Sequence, residues 1–161
     1  MRKIDHFIAG EAGVSTGRTH QIWNPSTGEV QAEVALGDAA LLDRAVAEAM
    51  KVQPEWAATN PQKRARVMFE FKRLVEANKQ ALAELLSSEH GKVVDDAHGD
   101  VQRGLEVIEF ACGIPQALKG EYTQGAGPGI DVYSMRQPLG VVAGITPFNF
   151  PAMIPMWMFG M

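Results

Sequence analysis

Few residues of this 161-residue chain have the type and setting to do chemistry. The most informative is Asn149, held in Ile145-Thr146-Pro147-Phe148-Asn149-Phe150-Pro151, an apolar stretch bracketed by prolines. A carboxamide in such surroundings must find partners or cost about 1–3 kcal/mol. It can satisfy the backbone of its own turn, or its NH₂ can face a site and donate to a developing oxyanion. Arg103 lies about 200° around its helix from the middle of the apolar stripe. It is either a surface arginine near Asp100 and Glu106, at i−3 and i+3, or a planar fork for a substrate carboxylate. Cys112 is the single thiol. A catalytic thiol wants an electropositive, partly open setting, whereas Cys112 shares an apolar helix face with Ile108 and reads as a small buried hydrophobe.

Other candidates fall away on spacing. His6, His20, His90 and His98 contain no i, i+4 pair of the helical metal-site kind, so no metal is expected. Glu89-His90 with Asp95-Asp96-x-His98 reads as a polar loop between helices. Gly125-x-Gly-x-Gly129 suggests a phosphate loop, but a dinucleotide fingerprint follows a strand and opens a helix. This run follows a helix and opens a strand.

The elements that must hold these residues are legible from periodicity. His6–Ala9 and Thr19–Trp23 read as short strands, Asn24-Pro25-Ser26-Thr27-Gly28 as a turn, and Glu29–Leu36 as an alternating strand. Together they predict a small antiparallel β unit. Asp38 caps a first helix that ends at Pro54, leaving Trp56 in a connector. Asn60 and Pro61 open a second helix, whose stripe of Val67, Met68, Phe71, Leu74, Val75, Leu82 and Leu85 is expected in the core until Gly91 stops it. A third begins at Asp95-Asp96, with Ala97, Val101, Leu105, Ile108 and Cys112 within about 80° of arc. It kinks at Pro115 and closes at Gly120. Gly125–Gly129 reads as a flexible turn and Ile130–Arg136 as a strand. Gly140–Thr146 is expected to be a buried strand, because it is β-branched and punctuated by glycine. Ligands of open α/β sheets sit at such strand ends.

Composition narrows the function. The chain is 46% apolar and 21% charged, as in ordinary globular domains. Fifteen basic against 19 acidic residues give a net charge of −4, which argues against a nucleic-acid partner. One cysteine allows no intrachain disulfide and the start lacks a secretory signal, so the expected location is cytoplasmic. Val141–Met161 carries no charge, but Pro147, Pro151 and Pro155 and the missing polar flank oppose a membrane span.

The motifs taken together resemble the aldehyde dehydrogenase superfamily. Pro138–Pro151 is similar to its first cofactor-domain strand and the Pro-aromatic-Asn-Phe-Pro turn that follows. Asn24-Pro25-Ser26-Thr27-Gly28-Glu29 resembles its early Asn-Pro-x-Thr-Gly-Glu motif, and Glu89-His90-Gly91-Lys92 its Glu-x-Gly-Lys helix end. Within the superfamily the chain looks most like the CoA-acylating methylmalonate-semialdehyde dehydrogenases, on Gly99–Val107, Phe110–Pro115, Leu118–Tyr122, Phe148, and Pro151–Phe159. The resemblance implies an α/β fold, with residues 1–129 as the first part of a cofactor-binding domain (a β unit and three helices). Residues 130–140 would form an oligomerisation-type strand, and 141–161 the first Rossmann-like strand, a turn and an unfinished helix. It further implies NAD as cofactor, CoA as cosubstrate and a homo-oligomer. Asn149 would be the oxyanion donor, Thr146 and Phe148 would face NAD, and Arg103 would bind the substrate carboxylate. The family's nucleophilic cysteine and general-base glutamate have no counterpart here. The expectation is therefore the opening portion of such an enzyme, inactive alone. The alternative is a non-catalytic binding or assembly module derived from one.

Overall fold

The computed structural model describes residues 1–161. Five strands build the first layer: β1 (Arg2–Ile4), β2 (His6–Ile8), β3 (Glu11–Val14), β4 (Thr19–Trp23) and β5 (Val30–Ala35). β5 is central, with β4 antiparallel on one side (Thr19 opposite Ala35) and β1 parallel on the other (Arg2 opposite Ala32). β2 and β3 form a separate antiparallel pair. The β unit is thus mixed rather than antiparallel, because the chain from β1 to β5 is long enough for a parallel crossover. Between β4 and β5, Asn24 Oδ1 accepts the Ser26 N–H at 2.9 Å and closes the Asn-Pro-Ser-Thr-Gly turn.

Asp38 opens α1 (Ala39–Ala58), its carboxylate accepting the Leu41 N–H at 2.8 Å. Pro54 and Trp56 both lie inside this helix, contrary to the expected stop. One proline removes a single i→i−4 bond. The bonds beyond it survive until Thr59, whose N–H and Oγ1 both donate to the Glu55 carbonyl, at 3.0 and 2.8 Å. Asn60 and Pro61 do open α2 (Pro61–Ala77), with Asn60 Oδ1 accepting the Gln62 N–H at 2.8 Å. The expected single helix to Gly91 is two, because Asn78 interrupts it. Its Nδ2 donates to the Leu74 carbonyl at 2.8 Å, competing with the helical ladder. α3 (Lys79–His90) ends at Gly91, where φ is 84° and only glycine is at ease.

The longest apolar stripe lies on α4 (Val94–Cys112). Ala97, Val101, Leu105, Ile108 and Cys112 are all buried, as their spacing predicts. Val75 of α2 and Met156 of α6 (Met153–Gly160) complete this core, and Ala83, Leu86 and Ala97 form a smaller cluster beside it. Val67, Phe71, Leu74 and Leu85, expected inside, remain exposed. α5 (Ile114–Ala117) is one short turn after Gly113.

β6 (Tyr122–Gly127) and β7 (Ile130–Tyr133) pair as an exposed antiparallel ribbon. The glycine-rich run read as a flexible turn is mostly strand, bulged between Thr123 and Gly127, and the turn shrinks to Pro128-Gly129. The expected buried strand at 140–146 is absent. Residues 135–149 make no backbone–backbone hydrogen bond, and Ile145 is 94% exposed. A strand exists only against a neighbour's ladder, and none of the seven strands pairs with this segment. No helix is long and apolar enough to cross a membrane.

Candidate functional site

The site grows from the end of α3. Gly91 reverses the chain there, and a Cβ at this position would sit 3.0 Å from Pro25 Cγ. The Asn-Pro-Ser-Thr-Gly turn is therefore packed against the Glu-His-Gly-Lys helix end. Ser87 Oγ donates to the Lys92 carbonyl at 2.7 Å, and the reversal sends the Lys92 side chain inward, where it is only 8% exposed.

Three oxygens and a ring surround the Lys92 ammonium. Asp100 Oδ2 lies at 3.3 Å, Asp96 Oδ2 at 3.4 Å and the Asn149 carbonyl at 3.4 Å. The Phe150 ring centroid is 4.8 Å away, in cation–π range. Asp100 is completely buried. Its second oxygen, Oδ1, accepts the Met153 N–H at 2.7 Å, which caps the start of α6. One charge pair, Lys92 just before α4 and Asp100 within it, thus holds both ends of the Asn149–Met153 segment. Removing one member of such a buried pair strands the other's charge and costs about 3–5 kcal/mol.

Asn149 itself is exposed, and its carboxamide makes no hydrogen bond within the chain. Of the two roles open to it, bracing its own turn is not the one it plays. The turn is braced by Lys92 through the main-chain oxygen instead. Thr146 is half-buried and Phe148 is 87% exposed on the same segment.

Arg103 lies one turn along α4 from Asp100, on its exposed face. The expected ion pairs with Asp100 and Glu106 do not form: Asp100 is taken by Lys92, and Glu106 accepts from Gln102 Nε2 at 3.4 Å. Its guanidinium is left without a carboxylate partner. The Arg103 main-chain oxygen accepts from Trp157 Nε1 at 3.2 Å, tying α6 to the same stretch of α4. Hence Lys92, at the α3–α4 reversal, contacts the Asn149 main chain, while α4 carries both its partner Asp100 and Arg103.

Lys92 and Asp100 were missed in the sequence. The signal was available: Lys92, Asp96 and Asp100 recur at i, i+4 and i+8, and Asp100 falls beside Ala97, Val101 and Gly104 on the buried face. Cys112 is buried as expected. Burial pushes its thiol above the ordinary range, Lys72 pulls it back less strongly, and Glu109 adds to the rise. No group of three or more His, Cys, Asp or Glu converges to hold a metal ion. The apolar groove lined by Phe71, Leu82, Leu85, Pro151 and Pro155, of about 390 Å³, does not include Asn149.

Known proteins share this arrangement of sequence and fold. Residues 13–161 match the model of the aldehyde dehydrogenase family. A malonate-semialdehyde dehydrogenase of Pseudomonas aeruginosa is 48% identical over 99% of this chain and 32% of its own length. The acylating, mitochondrial methylmalonate-semialdehyde dehydrogenase of Arabidopsis thaliana is also 48% identical, over 98% of this chain and 26% of its own length. Among solved structures, a Sinorhizobium meliloti protein provisionally named a methylmalonate-semialdehyde dehydrogenase, complexed with NAD, superposes with a TM-score of 0.95. It is 60% identical, over 99% of this chain and 33% of that one. The chain therefore spans about a third or less of the length of these relatives. A family match across nearly every residue, on the fold just described, has one reading: the chain belongs to the aldehyde dehydrogenase family.

Proposed function

We propose that this chain supplies the oxyanion donor, part of the cofactor surface and a substrate anchor to an NAD-dependent, CoA-acylating oxidation of methylmalonate or malonate semialdehyde. The observation that carries the reading is the Asn149 carboxamide, exposed and unpaired on a turn whose main chain is anchored by Lys92 and Asp100. A donor fixed in this way pays little reorganisation when negative charge develops on the aldehyde oxygen. Arg103, with no internal carboxylate partner, is available to the carboxylate of a semialdehyde acid.

The segment 141–148 suits NAD. Its main-chain groups are free of backbone pairing, and Ile145 and Phe148 offer apolar faces beside them, the mix that ring-and-ribose ligands use. Thr146 and Phe148 would line that surface. NAD, when bound, supplies the hydride acceptor. The names of the relatives support the substrate class, and the acylating relative supports CoA as cosubstrate. The exposed β6–β7 ribbon offers strand edges for a homo-oligomer, and a lone buried thiol suits the reducing cytoplasm.

The nucleophile of such a reaction is not Cys112, which is buried with a raised pKa. The 161 residues alone should reduce no NAD. Grafted in place of the matching third of the Sinorhizobium meliloti relative, they should give NADH formation that depends on semialdehyde and on CoA. A folded graft that forms no NADH, or turnover by the 161-residue chain alone, would overturn the proposal.

A further inference from the structure

The buried ion pair of Lys92 and Asp100 has a consequence beyond core stability. We infer that Lys92 and Asp100 are positioning residues for the Asn149 carboxamide, an assignment that rests on the oxyanion reading above. Three observations carry it. Lys92 reaches the Asn149 main-chain oxygen and the Phe150 ring, so it holds the two residues that set the direction of the amide side chain. Asp100 holds the Met153 N–H, so the turn is fixed at its far end too. No backbone–backbone hydrogen bond restrains residues 135–149, so these side-chain contacts are the main polar restraint on Asn149.

The pair also matches what the turn needs. An ammonium has three donors, and here it meets three oxygens. A carboxylate has two oxygens, and here one takes the ammonium and the other takes a helix-start N–H. A purely structural salt bridge would close on itself. This one gives one of its three ammonium donors and one of its two carboxylate oxygens to the Asn149–Met153 segment.

The test uses the graft of residues 1–161 into the Sinorhizobium meliloti relative. Lys92→Met should lower kcat about a hundredfold, the scale of a misplaced catalytic group, with KM for the semialdehyde held within about twofold. The decisive variant is Lys92→Met with Asp100→Asn. It removes both charges, so no buried charge is stranded, and the thermal midpoint should recover towards that of the parent graft. A positioning role predicts that kcat nevertheless stays low. A kcat that recovers together with the midpoint would overturn the inference. In the 161-residue chain, Lys92→Met should shift the Asn149 and Phe150 NMR resonances and leave β4 and β5 unmoved; unshifted resonances would also overturn it. Asn149→Ala in the same graft separates the two ideas. Full activity there defeats the oxyanion reading and this inference with it. Low activity there, with Lys92→Met unaffected, defeats this inference alone.

Discussion

Two glycines on one helix give a controlled measure of how tightly α6 is held to α4. At Gly99 a methyl group would meet nothing within 4 Å. At Gly104 it would run into Met156 Cε, come within 2.9 Å of Met156 Sδ, and stand 3.3 Å from the Met153 main-chain Cα. Both sites lie inside α4, so Gly→Ala gains about 0.5–1 kcal/mol of helix preference at either. Gly99→Ala should show that gain, a rise in Tm of ~2–4 °C per kcal/mol for a chain of this size. Gly104→Ala should lose about 1–3 kcal/mol to overpacking, ending neutral to destabilised. Urea unfolding followed by far-UV circular dichroism measures both. In a Met156→Ala background the flexible tip is gone, and most of the penalty at Gly104 should go with it, leaving the closer approach to Met153 as the remainder. A Gly104→Ala variant as stabilised as Gly99→Ala would refute the packing of α6 on α4, and with it the fixed far end of the Asn149 turn.

Three further outcomes follow from the same structure. Native Cys112 should react with iodoacetamide far more slowly than the denatured chain, since burial both hides the thiol and raises its pKa; equal rates would contradict its placement. The β6–β7 ribbon should loosen at both ends of the pH scale. The Tyr122 hydroxyl donates to Asp131 Oδ2 at 2.6 Å and Gly125 N–H to Asp131 Oδ1 at 2.9 Å, which lowers the Asp131 pKa and raises that of Tyr122. The Asp131 contribution is present above the unfolded carboxylate pKa and is lost as pH falls through the lowered folded value. The Tyr122 contribution is present below the unfolded phenol pKa and is lost as pH rises through the raised one. Amide exchange of Gly125 against pH should trace both losses, and Asp131→Asn should flatten the acid one. Finally, the unpaired segment with Leu139 at 93% and Ile145 at 94% exposure should drive self-association on the order of tens of micromolar. Light scattering should detect it and Ile145→Lys should weaken it; a clean monomer would contradict this.

The helices were the most legible part of the sequence, wherever local chemistry alone decides. Asp38, Asn60 and Gly91 act as caps and stops at the positions their side chains or missing Cβ suggest, and the α4 stripe is buried residue for residue. The errors share a cause, which is that the outcome depended on something distant. Pro54 did not stop α1, since one lost bond is small against a helix that continues beyond it. Gly140–Thr146 has the composition of a buried strand, yet strand formation needs a partner ladder and these residues have none. Val67, Phe71 and Leu74 form a proper apolar stripe but no element covers it. At the candidate site, the type and setting of Asn149 pointed to the turn. The lysine and aspartate beneath it were hidden, because an acidic residue beside Arg103 looked like a surface partner until its burial and its bond to Met153 were seen.

The central claim is that the Asn149 amide holds negative charge on the reacting aldehyde oxygen. Its most direct test is the pre-steady-state rate of NADH formation by Asn149→Ala in the graft, measured beside NAD affinity by fluorescence. Loss of such a donor costs about 2.7–4 kcal/mol in the transition state, so the rate should fall by ~10²–10³ while NAD affinity holds. An unchanged rate would contradict the claim.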